Sequence, residues 1–277
     1  MKLWSKLMGA NLLVSVCMCS VFAQSDENPI AALDWKKGPT TVRIAGVAKQ
    51  DVGNGYLFLE ADDAKKFMEL SQNPDSNVDG VILYAQDNAS WFAFYSYDGI
   101  GYVKDDEKGS LDSDAILESI RAGTEQANVE RRRRGWSEMK VLGWARKPHY
   151  DESTHNLEWA IKGASDEGTV VNYNTRFLGR GGVMSVTLVC STDQLSSVLP
   201  EFKSALQGFS YTSGNRYFEY RKGDRTAEVG LSALILGGAA AAAAKTGAFK
   251  WLWKGIVVVA LAIGGFLKKI FGGKKDQ

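Results

Sequence analysis

Apolar and polar residues alternate in several short runs of this chain, and the spacing turns helical in three places. Thr41-Val42-Arg43-Ile44-Ala45 alternates, Gly53-Asn54-Gly55 supplies a turn, and Tyr56 to Leu59 resumes, which predicts an opening hairpin. A short helix is predicted over 61–72, with Ala64, Phe67, Met68 and Leu70 apolar, ended by Asn73-Pro74. Val81 to Tyr84 and Trp91 to Tyr95 read as strands joined at Asp87-Asn88. Asp112 can cap a long helix to about Arg134, where Ile116, Ile120, Gly123 and Ala127 share a face and Gly135 stops it. Met139 to Ala145, Asn156 to Lys162, Thr169 to Leu178 and Val183 to Val189 are the next strands, 193–206 is a third helix, and Phe209-Ser210-Tyr211 starts a last strand. Strands that follow one another through tight turns predict an α+β class, with a mostly antiparallel sheet and packed helices.

The two ends have a different texture. Lys2 and Lys6 precede an apolar run from Leu7 to Phe22, and Ala23 follows, the pattern of a secretory signal over 1–23 with cleavage after Ala23. The run is shorter than the roughly 20 residues a bilayer helix needs, which disfavours an uncleaved anchor. From 24 to 228 the chain reads as the exported globular domain. Beyond it, 229–277 holds a charge-free stretch from Leu231 to Ala244 with Gly237 and Gly238, then Trp251 and Trp253 among lysines. A second apolar stretch, Gly255 to Leu267, is followed by Lys268 and Lys269. This predicts a C-terminal hydrophobic helical anchor in a lipid bilayer. A single span from about Phe249 to Leu267, with the tail lysines that follow it on the cytoplasmic side, is favoured over a pair of short helices packed through the small residues. A buried Ala-rich helix followed by an amphipathic helix on the membrane surface is the alternative. The expected location is the bacterial inner membrane, with the domain outside the cytoplasm.

The 277 residues are 45% hydrophobic and 23% charged, which is globular composition, and the net charge of +1 leaves any polyanion partner to local patches. Cys17 and Cys19 fall in the signal, so the mature chain keeps only Cys190 and no internal disulfide can form. Met184, Val186, Leu188 and Cys190 share a strand face, which makes the thiol a buried one.

Several segments carry a resemblance: Gly101-Tyr-Val-Lys-Asp-Asp, Gly143-Trp144, His149-Tyr-Asp, Thr154-His-Asn-Leu-Glu-Trp-Ala, Val171-Asn-Tyr-Asn-Thr-Arg, Leu178-Gly-Arg-Gly-Gly-Val-Met-Ser and the Gly/Ala-rich stretch ending Ala244-Lys-Thr-Gly. Over nearly the whole mature chain the sequence resembles predicted membrane-anchored bacterial proteins gathered as a family of unknown function. The resemblance implies an N-terminal signal or hydrophobic segment, an envelope domain and a C-terminal anchor. It implies no activity and no catalytic residue. Arg225 and Val229 depart mildly from the family pattern.

Candidate chemistry is sparse. His149, Tyr150, Asp151, His155 and Glu158 lie close in sequence, and histidine with carboxylates suits acid–base work or a metal. Alternation places His155 with Leu157, Trp159 and Ile161 and turns Glu158 away, and His149 follows Pro148 in what reads as a loop. Gly179 to Gly182 joins two strands, so a hairpin turn accounts for its glycines better than a phosphate loop. Tyr173, Asn174, Arg176 and Arg180 are the candidate contacts to an anion or glycan, because guanidinium forks and amides suit carboxylate or phosphate. Arg131 to Arg134 could meet an anionic surface, although cations at a helix end also complement its dipole. The acidic run from Asp105 to Asp114 lacks calcium-loop spacing. No cofactor or metal is predicted, and export makes nucleic acid the least suitable partner. The favoured reading is a non-enzymatic envelope protein that binds a protein or an anionic envelope component for recruitment or sensing. A membrane-associated hydrolase or transferase, and a structural subunit of a membrane complex, are the alternatives.

Overall fold

The computed structural model describes residues 29–71, 77–84, 91–166 and 168–236. Along these residues run β1 (Lys36–Lys37), β2 (Thr40–Ile44), β3 (Ala48–Val52), β4 (Tyr56–Glu60), α1 (Ala61–Leu70), β5 (Gly80–Tyr84), β6 (Trp91–Asp98) and α2 (Ser113–Arg133). There follow β7 (Lys140–Asp151), β8 (Asn156–Ser165), β9 (Gly168–Leu178), β10 (Val183–Ser191), α3 (Leu195–Leu206), β11 (Phe209–Tyr211), a 3-10 turn (Tyr217–Glu219) and α4 (Leu231–Ile235). Among the described residues eight strands form one sheet in the order β1-β4-β5-β6-β10-β9-β8-β7, and β11-β3-β2 form a second. Every pairing of named strands is antiparallel, so the fold is an antiparallel, sheet-rich α+β architecture.

Alternation gives the large sheet two buried faces. One carries Phe58, Tyr95, Tyr173 and Val186 and is covered by α3 and the small sheet, through Val198, Phe202, Ile44 and Tyr211. The other packs Leu59, Val81 and Phe92 beneath Phe67 and Met68 of α1. Further along the same face Leu157 and Trp159 lie beneath Ile116 and Ile120 of α2 and beneath α4. Each such large apolar side chain contributes roughly 1.5–3 kcal/mol on burial. Helix α2 begins where Asp112 accepts bonds from the Asp114 and Ala115 N–H groups, and it ends before Gly135 at φ +68. From its buried face Asn128 makes two backbone bonds of 2.8 Å to Met139, docking the entry to β7.

Four expectations from the sequence are corrected. Thr40–Ile44 does not pair with Tyr56–Glu60; it turns at Ala45 and Gly46, both at positive φ, and pairs with Ala48–Val52, a strand whose centre is the polar run Lys-Gln-Asp. Gln50 in that strand is fully buried, accepting from the Tyr95 hydroxyl at 2.9 Å and donating to the Ala205 and Asp51 carbonyls. The second correction is that β7 runs on through Pro148 and His149 to Asp151. Three register shifts and Gly143 at φ +147 let this edge strand absorb the proline. Third, His155 is no strand residue: it sits in the turn before β8 at φ +52.

The fourth concerns the C-terminal hydrophobic helical anchor. Among the described residues no helix is long and apolar enough to cross a membrane. Leu231–Ile235, expected to open the anchor, is a five-residue helix whose Leu231, Leu234 and Ile235 are buried in the core beside Trp159 and Tyr217. The Ser232 N–H donates to Glu107, fastening it to the domain. Its apolar side chains find their cover within the protein. Gly237, Gly238, Trp251, Trp253, Lys268 and Lys269, like the signal over 1–23, lie outside the described residues.

Candidate functional site

Cross-strand register arranges a polar grid on the α3 side of β7, β8 and β9. His149, Glu158 and Thr175 form one row, Asp151, Asn156 and Phe177 the next, and Arg146, Ala160 and Tyr173 the row on the other side. Neighbours within a row stand about 4.8 Å apart, the strand spacing. Lys203 and Gln207 at the end of α3, with Phe209 and Tyr211 of β11, wall the grid into an open cleft of about 600 Å³. That volume lies inside the range of small-molecule sites.

Glu158 organises the centre. One carboxylate oxygen accepts from the Tyr173 hydroxyl at 2.6 Å and meets the Lys203 ammonium at 3.0 Å. Burial, and then the bond to Glu158, push the Tyr173 phenol well above its ordinary pKa, so it stays a neutral donor. Asp151 is held anionic, below the usual carboxylate range, chiefly by the Ser153 hydroxyl and backbone N–H. Arg146 is exposed and, among the described residues, has neither ion pair nor hydrogen bond, leaving its five donors available. Two buried atoms of the lining have no protein partner: the Thr175 hydroxyl, on a residue with no exposure, and the Asn156 carbonyl oxygen. Such atoms are rare in folded proteins and cost about 1–3 kcal/mol each when nothing meets them.

The four candidate contacts predicted from sequence do not assemble. Tyr173 is buried in the core on the α3 side and meets the cleft only through its hydroxyl's bond to Glu158. Asn174 and Arg176 face the opposite side of β9, where Asn174 accepts from Thr187 and Arg176 lies 4.6 Å over the Trp159 ring. Arg176 is 8% exposed, and burial draws its guanidinium down to about 10, with Asp98 opposing the shift. Its one hydrogen bond, to the Thr175 carbonyl, is long at 3.5 Å. Arg180 lies beyond the strand end in a fork on Asp224, at 2.6 and 2.7 Å. The histidine–carboxylate set divides in the same way. His149, Asp151 and Glu158 share the cleft, while His155 packs tilted against Tyr217 with ring centroids 4.5 Å apart and bonds to Tyr150, whose hydroxyl also reaches Asp105. Neither carboxylate in the cleft hydrogen-bonds His149. Sequence reading missed Thr175, Asn156, Arg146 and Lys203. Counting by twos from Tyr173 would have found Thr175, whereas Arg146 and Lys203 arrive from elements whose placement no local pattern reveals.

A family model described as "Protein of unknown function (DUF2167)" matches residues 36–267, most of the chain. The chain belongs to this family. Comparison with curated proteins finds no match. Among solved structures this DUF2167 member is similar to cyanobacterial PsbP from Synechocystis, at 10% identity and TM-score 0.36 over 62% of this chain and 92% of that one. It is also similar to the Ran-binding protein Mog1p of Saccharomyces cerevisiae, at 12% identity and TM-score 0.31 over 65% and 96%. A Pseudomonas aeruginosa protein of unknown function, described as a putative regulator, matches at 10% identity and TM-score 0.27 over 61% and 93%. Likenesses this distant carry nothing about what the DUF2167 chain does.

Proposed function

We propose that this is an exported, non-enzymatic binding domain that recruits or senses an envelope component by taking its anionic group into the cleft of β7, β8 and β9. The observation that carries the reading is Arg146, an exposed guanidinium with no ion pair or hydrogen bond among the described residues, which lines the cleft together with Lys203, itself paired with Glu158. Two cations set against a polar floor suit a carboxylate or phosphate. The charged pattern of residues 1–23 supports a place outside the cytoplasm. Binding is favoured over hydrolysis because one oxygen of Glu158 is taken up by Tyr173 and Lys203, one oxygen of Asp151 by the Ser153 hydroxyl and N–H, and neither carboxylate hydrogen-bonds His149.

The test is thermal unfolding of the purified full-length chain with acetate, succinate and inorganic phosphate at constant ionic strength. A saturable rise in midpoint that disappears in Arg146→Ser and persists in Arg180→Ala is expected. A rise that survives Arg146→Ser, or no rise with any of the three, overturns the reading.

A further inference from the structure

The two orphaned atoms in the cleft have opposite needs. The Thr175 hydroxyl can donate and lacks an acceptor, whereas the Asn156 carbonyl oxygen can only accept and lacks a donor. They stand on adjacent strands one row apart, because Glu158 is the register partner of Thr175 and Asn156 that of Phe177. Diagonal neighbours of this kind have Cα atoms about 7–8 Å apart. A ligand hydroxyl, which accepts and donates at once, or a pair on adjacent carbons, spans the remaining gap with bonds of about 2.8 Å at either end.

The surroundings narrow the class. Glu158 keeps one carboxylate oxygen free of hydrogen bonds in the row between His149 and Thr175, a further acceptor for hydroxyl protons. Phe177 and Phe209, with ring centroids 4.5 Å apart, add an aromatic wall against which the C–H face of a ring can lie. Arg146 and Lys203 occupy the other edge and call for a negative group. A peptide would seek the free backbone of the edge strand β7, but three register shifts and Pro148 interrupt that edge, so strand addition has no continuous template.

We infer that the ligand of this cleft is an acidic sugar, a pyranose ring carrying a carboxylate. Its hydroxyls are read by Thr175, Asn156 and Glu158, and its carboxylate is held by Arg146 and Lys203. This rests on the anion-binding reading above and specifies the chemical class. Volume agrees, since about 600 Å³ accommodates one or two sugar rings.

The experiment is calorimetric titration of the full-length chain with a uronic-acid disaccharide, with cellobiose as the same framework without charge and acetate as the charge without the framework. The uronate is expected to bind at least about tenfold more tightly than either control, a gap of roughly 1.4 kcal/mol. Thr175→Val, which keeps the shape and removes the donor, is expected to weaken uronate binding about fivefold or more while raising the unfolding midpoint. Arg146→Ser is expected to reduce uronate to the affinity of cellobiose. Equal binding of acetate and uronate, or unchanged uronate affinity in Thr175→Val, overturns the sugar assignment and leaves the anion site standing. Equal binding of cellobiose and uronate, or no binding of any probe, overturns both. Because Thr175→Val removes an unsatisfied group, a folding defect is not expected, and its unfolding curve checks that directly.

Discussion

The two sides of β9 are made by neighbouring residues and do opposite work. Tyr173, Thr175 and Phe177 look toward α3, where Tyr173 is buried in the core and Thr175 and Phe177 line a cleft in which polar atoms remain unspent. Asn172, Asn174 and Arg176 look toward α2 and are at most 8% exposed, with Asn174 bonded to Thr187 and Arg176 laid on Trp159. The side that hides its charge is the structural one. The side that keeps donors and acceptors in reserve is where a ligand can be recognised. An arginine is therefore a poor guide to a binding site until its face is known.

The largest expected effect tests the closed side. Trp159→Ala should cost about 3–5 kcal/mol in denaturant unfolding, by opening a cavity beneath α2 and removing the surface on which Arg176 lies. A cost below about 1 kcal/mol would mean that this side is not a tightly packed one. Next, Tyr173→Phe removes a donor to the Glu158 carboxylate, and a loss of about 1.5–3 kcal/mol is expected in the same assay. Thr175→Val should reverse the sign, gaining about 1 kcal/mol as a buried, unpaired hydroxyl leaves. A loss of comparable size would show that the hydroxyl is satisfied in solution.

Arg176→Met sharpens the contrast at smaller amplitude. A buried guanidinium with no carboxylate in contact should be replaceable within about 1 kcal/mol, since the methionine avoids desolvation and still packs on Trp159. A loss above about 3 kcal/mol would reveal a paired charge. The smallest effect concerns acid. The Arg180 fork, and then the Arg221 N–H, hold Asp224 down at about 2, below its unfolded value. Its contribution to stability is thus present above the ordinary carboxylate range and fades as pH falls through about 2. Asp224→Asn should flatten that part of the stability–pH curve and leave neutral-pH anion binding unchanged.

Much of the architecture is legible because period-two runs such as Met184 to Cys190 and the three-and-four spacing of Ile116 and Ile120 report burial directly. Cys190 is buried as that alternation requires, with its thiol pushed up to about 12 by desolvation. Ala48–Val52 escaped because a strand buried through Ala48, Gln50 and Val52 hides behind a polar centre. The satisfaction of Gln50 depends on residues about 45 and 155 positions away. Leu231–Ile235 reads from sequence as the opening of an anchor for the converse reason, since an apolar stretch states that it needs cover without saying which. The candidate contacts are less legible, because Tyr173, Asn174 and Arg176 are close neighbours in sequence while the pleat turns Tyr173 to one side of β9 and the other two to the opposite side.

Gln50 adds a dynamic consequence. Its single amide ties the small sheet to α3 through Ala205 and to the large sheet through Tyr95. The walls contributed by β11 and the end of α3 should therefore exchange their amide hydrogens as one cooperative unit, distinct from the slower floor of β8 and β9. Affinity in the cleft would then be set partly by how often that unit opens, so a change at position 50 could retune recognition without touching any atom of the ligand.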